Sequence, residues 1–165
     1  MNFRAIPFIL ACALCLLESS APIAAQAAPA SSIPSAALIS PAVLASRLRS
    51  AAASKPLILQ VGFRVLFDEA HIPGAEFAGP TSKDSGLALL RERVAQLPLA
   101  TPIVIYCGCC PWSHCPNIAA AFQALQALGF THVQVLHIRD NFGANWVQAG
   151  FPVTKTAAAT SSHGS

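Results

Sequence analysis

The stretch IVIYCGCCPWSHCPNIAAAF, residues 103–122, runs from an apolar strand pattern through a cysteine-rich loop into a helical pattern. Pro102 to Tyr106 reads as a buried strand, since its apolar residues are unbroken and flanked by a proline. From Pro116 to Leu128, residues Ile118, Ala121, Phe122, Leu125 and Leu128 share one helical face, and Gly129 stops the helix. Between them lie Cys107, Cys109, Cys110 and Cys115, four cysteines within nine positions.

Working outward, the same alternation recurs on both sides. Ala37 to Ile39 forms a short strand pattern, and Ser40-Pro41 supplies an N-cap and an N1 proline for a helix to about Ala52. Leu57 to Val61 is a second buried strand, followed by a long loop with the turn signal HIPG at 71–74. Leu87, Leu90, Val94 and Leu97 recur at helical spacing ahead of Pro98. His132 to Leu136 is another strand, and Asn145 to Gln148 a short last helix before Gly150. Alternating strands and helices predict an α/β fold, a parallel sheet covered on both faces. In such sheets sites form at the carboxyl ends of strands, which is where the cysteine loop falls.

The N-terminus reads differently. Met1–Arg4 is a short basic segment, and Ala5–Leu17 is apolar but interrupted by Pro7. It is shorter than the roughly 20 residues a membrane span needs. APIAAQAAPA then carries Ala-x-Ala at Ala25–Ala27. This predicts a signal peptide over 1–27, cleaved after Ala27, and an exported, periplasmic protein. The alternatives are an uncleaved N-terminal anchor and a lipoprotein, for which Ile9-Leu10-Ala11-Cys12 is a poor and early lipobox. Cleavage removes Cys12 and Cys15 and leaves the four loop cysteines. It also removes Arg4 and Glu18, so the net charge of +3 is unchanged. That charge is too small and scattered to indicate nucleic acid, or a membrane surface after cleavage. Residues 28–36 and 155–165 read as a disordered lead-in and tail, leaving 37–154 as one folded domain.

An exported chain with an even cysteine count usually carries structural disulfides, but cysteines bunched in one loop cannot staple distant segments. A loop entering a helix N-terminus offers unpartnered N–H groups and partial positive charge, which predicts a lowered thiol pKa. Three chemistries are then open: one thiolate carries sulfur as a persulfide, two thiols cycle through a disulfide (Cys107 and Cys110 have C-x-x-C spacing), or the thiols bind a soft ion such as Cu(I) with His114 as an extra ligand. A closed tetrahedral zinc site within one short loop would be cramped, since such sites pair separated ligands. A fourth possibility is a buried or oxidised cluster with no activity. Among the other candidates, His71 reads as a turn residue and Trp146 as core. His132 and His137 read as structural or solvent-facing, and Asp140 as a capping or solvated residue. Arg64 and Arg139 follow strand ends and are possible substrate-binding groups.

Three ordered stretches resemble the single-domain rhodanese family: HIPGAEF at 71–77, IVIYC at 103–107 and NFGANWVQAGFPV at 141–153. The resemblance implies a central five-stranded parallel sheet with helices on both faces. It implies a sulfurtransferase of the thiosulfate sulfurtransferase type, with no cofactor. Cys107 would be the catalytic residue that becomes a persulfide. A small sulfur-containing donor would load it, and a thiol or cyanide would accept the sulfur; an exported redox protein is a further candidate partner. The loop, with Gly108, Trp112, Ser113 and His114, would line the site and hold the sulfur anion through its N–H groups. Cys109, Cys110 and Cys115 are auxiliary thiols, any of which could resolve a Cys107 persulfide; Cys110 and Cys115 are the preferred ones. The family's usual loop is shorter and often carries Arg or Lys. This one carries neither, which argues against the thiosulfate dianion as preferred donor. Gln60-Val61-Gly62 stands where Asp-Val-Arg is common, and Ala70 where a glycine precedes HIPG.

Overall fold

A computed structural model describes residues 33–51 and 54–156. The expected signal peptide and most of the expected lead-in and tail lie outside the described residues. Five strands form one parallel sheet: β1 (Leu38–Ile39), β2 (Leu57–Gln60), β3 (Glu76–Phe77), β4 (Ile103–Tyr106) and β5 (Val133–Leu136), in the order β1-β5-β4-β2-β3. The helices are α1 (Pro41–Arg49), α2 (Arg64–Glu69), α3 (Asp84–Val94) and α4 (Pro116–Ala127). The order reverses around β4, so the chain's most apolar strand lies at the sheet's centre, hydrogen-bonded on both sides.

Period-two alternation along β4 divides the core. Ile103 and Ile105 point to the face covered by α3 and α4, where Leu90, Val94, Ile118, Phe122 and Leu125 are buried. Val104 and Tyr106 point to the other face, against Leu44 of α1, Phe67 of α2 and Trp146. Side chains two apart share a face, so Cys107, continuing the odd-numbered set, goes under α4.

Local signals set most helix ends. The Ser40 hydroxyl accepts from the Val43 N–H, with Pro41 in the first helical position. α4 begins at Pro116 with Cys115 at its N-cap, and closes at Gly129, whose φ of 89° favours glycine. Three elements differ from what the residue patterns indicate. The 62–75 segment, read as a loop, contains α2, and β3 was visible only through the family resemblance. The last helix is a five-residue π turn, Gly143–Val147. The folded body also starts before residue 37, because Ile33 is buried against the α3/α4 face. It runs past 154, because the Thr156 N–H donates to the Asp68 carbonyl.

Candidate functional site

The cysteine loop leaves the carboxyl end of β4 and is tied down twice before it enters α4. The Phe142 N–H donates to the Gly108 carbonyl at 3.2 Å, and the Trp112 N–H to the Ile138 carbonyl at 2.9 Å. Residues Trp112–His114 form a single 3-10 turn. These ties fold the loop back on itself and bring all four sulfurs within 4.8 Å of one another. The Cys107 and Cys109 sulfurs are 3.4 Å apart, and those of Cys109 and Cys110 3.2 Å. These are non-bonded separations, well beyond the roughly 2.05 Å of a disulfide, and all four are free thiols. The crowding expected of one short loop does not keep the sulfurs apart.

The four thiols differ in access. Cys107 is 2% exposed and Cys115 fully buried. Cys110 is half-buried against the α3/α4 core, and Cys109 is exposed. The Cys107 sulfur lies under α4, where the Asn117 side-chain amide donates toward it at 3.8 Å. On its other side is Gly62, where a Cβ would stand 2.7 Å from the sulfur; only glycine leaves the sulfur its place.

The lowered thiol expected at a helix N-terminus is absent from this four-thiol form. The neighbouring Cys115 thiol, and then burial, push the Cys107 thiol far above the ordinary range. The Cys109 N–H is directed at that sulfur and acts in the opposite sense, but more weakly. Burial raises Cys109, and burial together with the Cys109 thiol raises Cys110 to about 11. The physical cause is local: the loop contains no Arg or Lys, and the four sulfurs crowd within 4.8 Å of one another.

Not all the sequence candidates converge. Gly108 and Cys109 line a cavity of about 550 Å³. Trp112 packs against the α3/α4 core and meets His137 edge-on, with ring centroids 6.0 Å apart. Ser113 bonds the His114 ring at 3.0 Å, and His114 stands outside the four-sulfur group. Arg64 lies with its guanidinium 3.9 Å from the Phe77 ring centroid and pairs with Asp68 at 3.8 Å. Arg139 is exposed, and neither arginine lines the cavity. His71 is buried, stacks on Phe67 and bonds the Phe67 carbonyl at 2.7 Å. Trp146 is core, its indole N–H donating to the Pro152 carbonyl at 2.8 Å.

Four residues at the site escaped the sequence reading. Asn117 accepts from the Ser82 N–H at 2.9 Å, while its backbone carbonyl accepts from the Thr81 hydroxyl at 2.6 Å. A polar residue on the buried side of the first turn, directly after the cysteine loop, was the available signal. Gln60, the one polar residue of β2, accepts from the Gly62 N–H at 3.2 Å. Glu69 and Lys155 line the cavity from α2 and the C-terminal segment, and no spacing rule links either to the cysteine loop.

The sequence model of the rhodanese-like domain matches residues 40–137. No curated protein matches the chain in sequence. Among solved structures, the crystal structure of the Alr3790 protein from Anabaena sp. superposes with a TM-score of 0.56. It is 23% identical, and the match covers 73% of this chain and 94% of that one. The BH2092 protein from Bacillus halodurans gives a TM-score of 0.55 at 19% identity, covering 72% of this chain and 76% of its own. At these identities the likeness concerns the fold.

Proposed function

The chain belongs to the rhodanese-like domain family, and on that premise we propose that it is a sulfurtransferase carrying sulfane sulfur as a persulfide on Cys107. The observation that carries the reading is the place of Cys107. It ends the central strand beneath the N-terminus of α4, with the Cys109 N–H and the Asn117 amide directed at its sulfur. Those donors favour a sulfur anion in a pocket that excludes water. The persulfide then passes its outer sulfur to a thiophilic acceptor, a thiol or cyanide. Export to the periplasm belongs to the same proposal and rests on the N-terminal pattern. The test is turnover: reduced protein supplied with a sulfane donor and cyanide forms thiocyanate, and Cys107→Ser falls to background. Thiocyanate formation by Cys107→Ser at the wild-type rate rejects Cys107 as the carrier.

A second reading has its own support in the convergence of four sulfurs within 4.8 Å. Thiolates prefer soft ions, and Cys107, Cys109, Cys110 and Cys115 would hold Cu(I) in a loop that carries no Arg or Lys. Stoichiometric Cu(I) uptake by reduced protein, lost in Cys109→Ser/Cys110→Ser, supports it. No uptake under reducing conditions rules it out.

A further inference from the structure

The cavity beside the loop is lined by Cys109 and not by Cys107, so a sulfur donor standing in it meets a different thiol from the one proposed to store the sulfur. We infer that Cys109 is the entry thiol: it takes sulfur from a donor in the cavity and hands it inward to Cys107. The inference rests on the Cys107 persulfide reading and adds a residue and a donor class to it.

Three observations converge. Cys107 is 2% exposed, enclosed by Cys115, Asn117 and Gly62. Its parity on β4 fixes it on the α3/α4 face, so a donor reaches it only if the loop opens. Cys109 is exposed, and its sulfur is 3.4 Å from that of Cys107, near the contact distance that sulfur exchange needs. The remaining thiols are worse placed: Cys115 is fully buried, while Cys110 is half-buried in the core and does not line the cavity.

The chemistry balances without an oxidant. The Cys109 thiolate attacks the terminal sulfur of a hydropersulfide R–S–SH. The donor's S–S bond breaks, RSH leaves with a proton, and Cys109–S–SH forms. Cys107, after giving up its proton, attacks the outer sulfur of Cys109–S–SH. That S–S bond breaks, Cys109 recovers a proton as a thiol, and Cys107–S–SH remains. The site ends with one more sulfur, and the donor leaves as its thiol.

The cavity indicates the donor's character. Lys155 and Glu69 supply one charge of each sign, and Asn141 and Gln148 supply amides. Balanced charge suits a zwitterion better than a dianion, and about 550 Å³ falls in the usual range for small-ligand sites. The donor class that fits is an amino-acid or short-peptide hydropersulfide.

The test is rapid-quench loading of reduced protein with cysteine hydropersulfide, with the added sulfur located by fragmentation mass spectrometry. In wild type the sulfur is expected first on Cys109 and then on Cys107. In Cys107→Ser, with Cys107→Ala as a second variant should serine disturb the fold, it is expected to stay on Cys109. In Cys109→Ser, loading of Cys107 is expected to slow at least tenfold. Cys107 loading at the wild-type rate in Cys109→Ser overturns the entry role and leaves Cys107 as carrier. Sulfur that never reaches Cys107 in the wild type, with turnover intact in Cys107→Ser, overturns the carrier reading itself.

Discussion

Cys107 and Cys109 are two positions apart, yet one is sealed in the core and the other faces the cavity. The place of Cys107 at the base of the loop was legible in the sequence because a buried strand runs into it, whereas its role as sulfur carrier came only from the family resemblance. The change of side at Cys109 was not legible, because it depends on the loop's ties to Phe142 and Ile138, and a sequence does not display such long-range bonds. Raised thiols have a direct consequence. Since burial holds Cys109 and Cys110 above their ordinary value, their thiolate fraction at neutral pH is small and grows with alkali. Iodoacetamide labelling of Cys109 should therefore keep accelerating above the roughly 8.5 of a free thiol. A labelling curve already flat at pH 7 would contradict the raised thiol. At Gly62, an added methyl must displace the Cys107 sulfur or the Gln60 amide. Gly62→Ala should cut turnover roughly a hundredfold, as misplacement of a reacting atom by about 1 Å does. The thermal midpoint, measured alongside, should fall as well, because both displaced groups are buried and overpacking a core costs about 1–3 kcal/mol.

At the scale of elements, the strands and long helices were legible where a residue pattern or a cap marked them. α3 and α4 carry helical spacing, β2 and β4 are short apolar runs, and Ser40-Pro41 opens α1, with Pro116 and Gly129 as further boundary marks. α2 was hidden because six residues are too few to show a period, and β3 because its Glu76-Phe77 pair lacks both an apolar run and a following cap such as the Ser40-Pro41 after the equally short β1. They are held by context instead. Phe67 packs against His71 and Phe77, while Arg93 of α3 pairs with Glu76 of β3 through two hydrogen bonds, one of them 2.8 Å. Asn117 plays a comparable part for α4, joining its first turn to Ser82 and to the Cys107 sulfur. Asn117→Ala removes the acceptor of the Ser82 N–H and should cost about 0.5–1.5 kcal/mol, read in urea unfolding, since Ser82 is exposed and water can replace the lost partner. It should also slow turnover, because a donor to the sulfur goes with it. Loss of stability with turnover intact would make Asn117 a purely structural residue.

Across the whole molecule, the last described segment of the chain closes one side of the cavity, through Val153 and Lys155. His71 and Thr154 form an antiparallel bridge, with N–H to carbonyl distances of 2.8 Å in both directions, and this sets Lys155 at the cavity. The sequence reading left Lys155 in a disordered tail, since its composition resembles the low-complexity residues that follow. Lys155→Met should raise KM for a zwitterionic hydropersulfide roughly two- to fivefold, the size of an exposed ion pair, with kcat unchanged. Stability should carry the mark of the thiol cluster as well. A thiol whose pKa is raised in the fold stabilises below its unfolded pKa, and that contribution is lost as pH rises through the folded value. For Cys110 the window runs from the roughly 8.5 of a free thiol to about 11. The thermal midpoint of reduced protein should therefore fall across it, and by less in Cys110→Ser. A midpoint equally flat in both proteins would contradict the raised thiol.

The measurement that bears most directly on the account is the location of sulfur at equilibrium. Reduced wild-type protein is loaded with cysteine hydropersulfide, freed of excess donor, and fragmented so that Cys107, Cys109, Cys110 and Cys115 are read separately. The account predicts one added sulfur, resting on Cys107 and removed by cyanide. Sulfur found on Cys109 or Cys110 alone, with Cys107 unmodified, would contradict it.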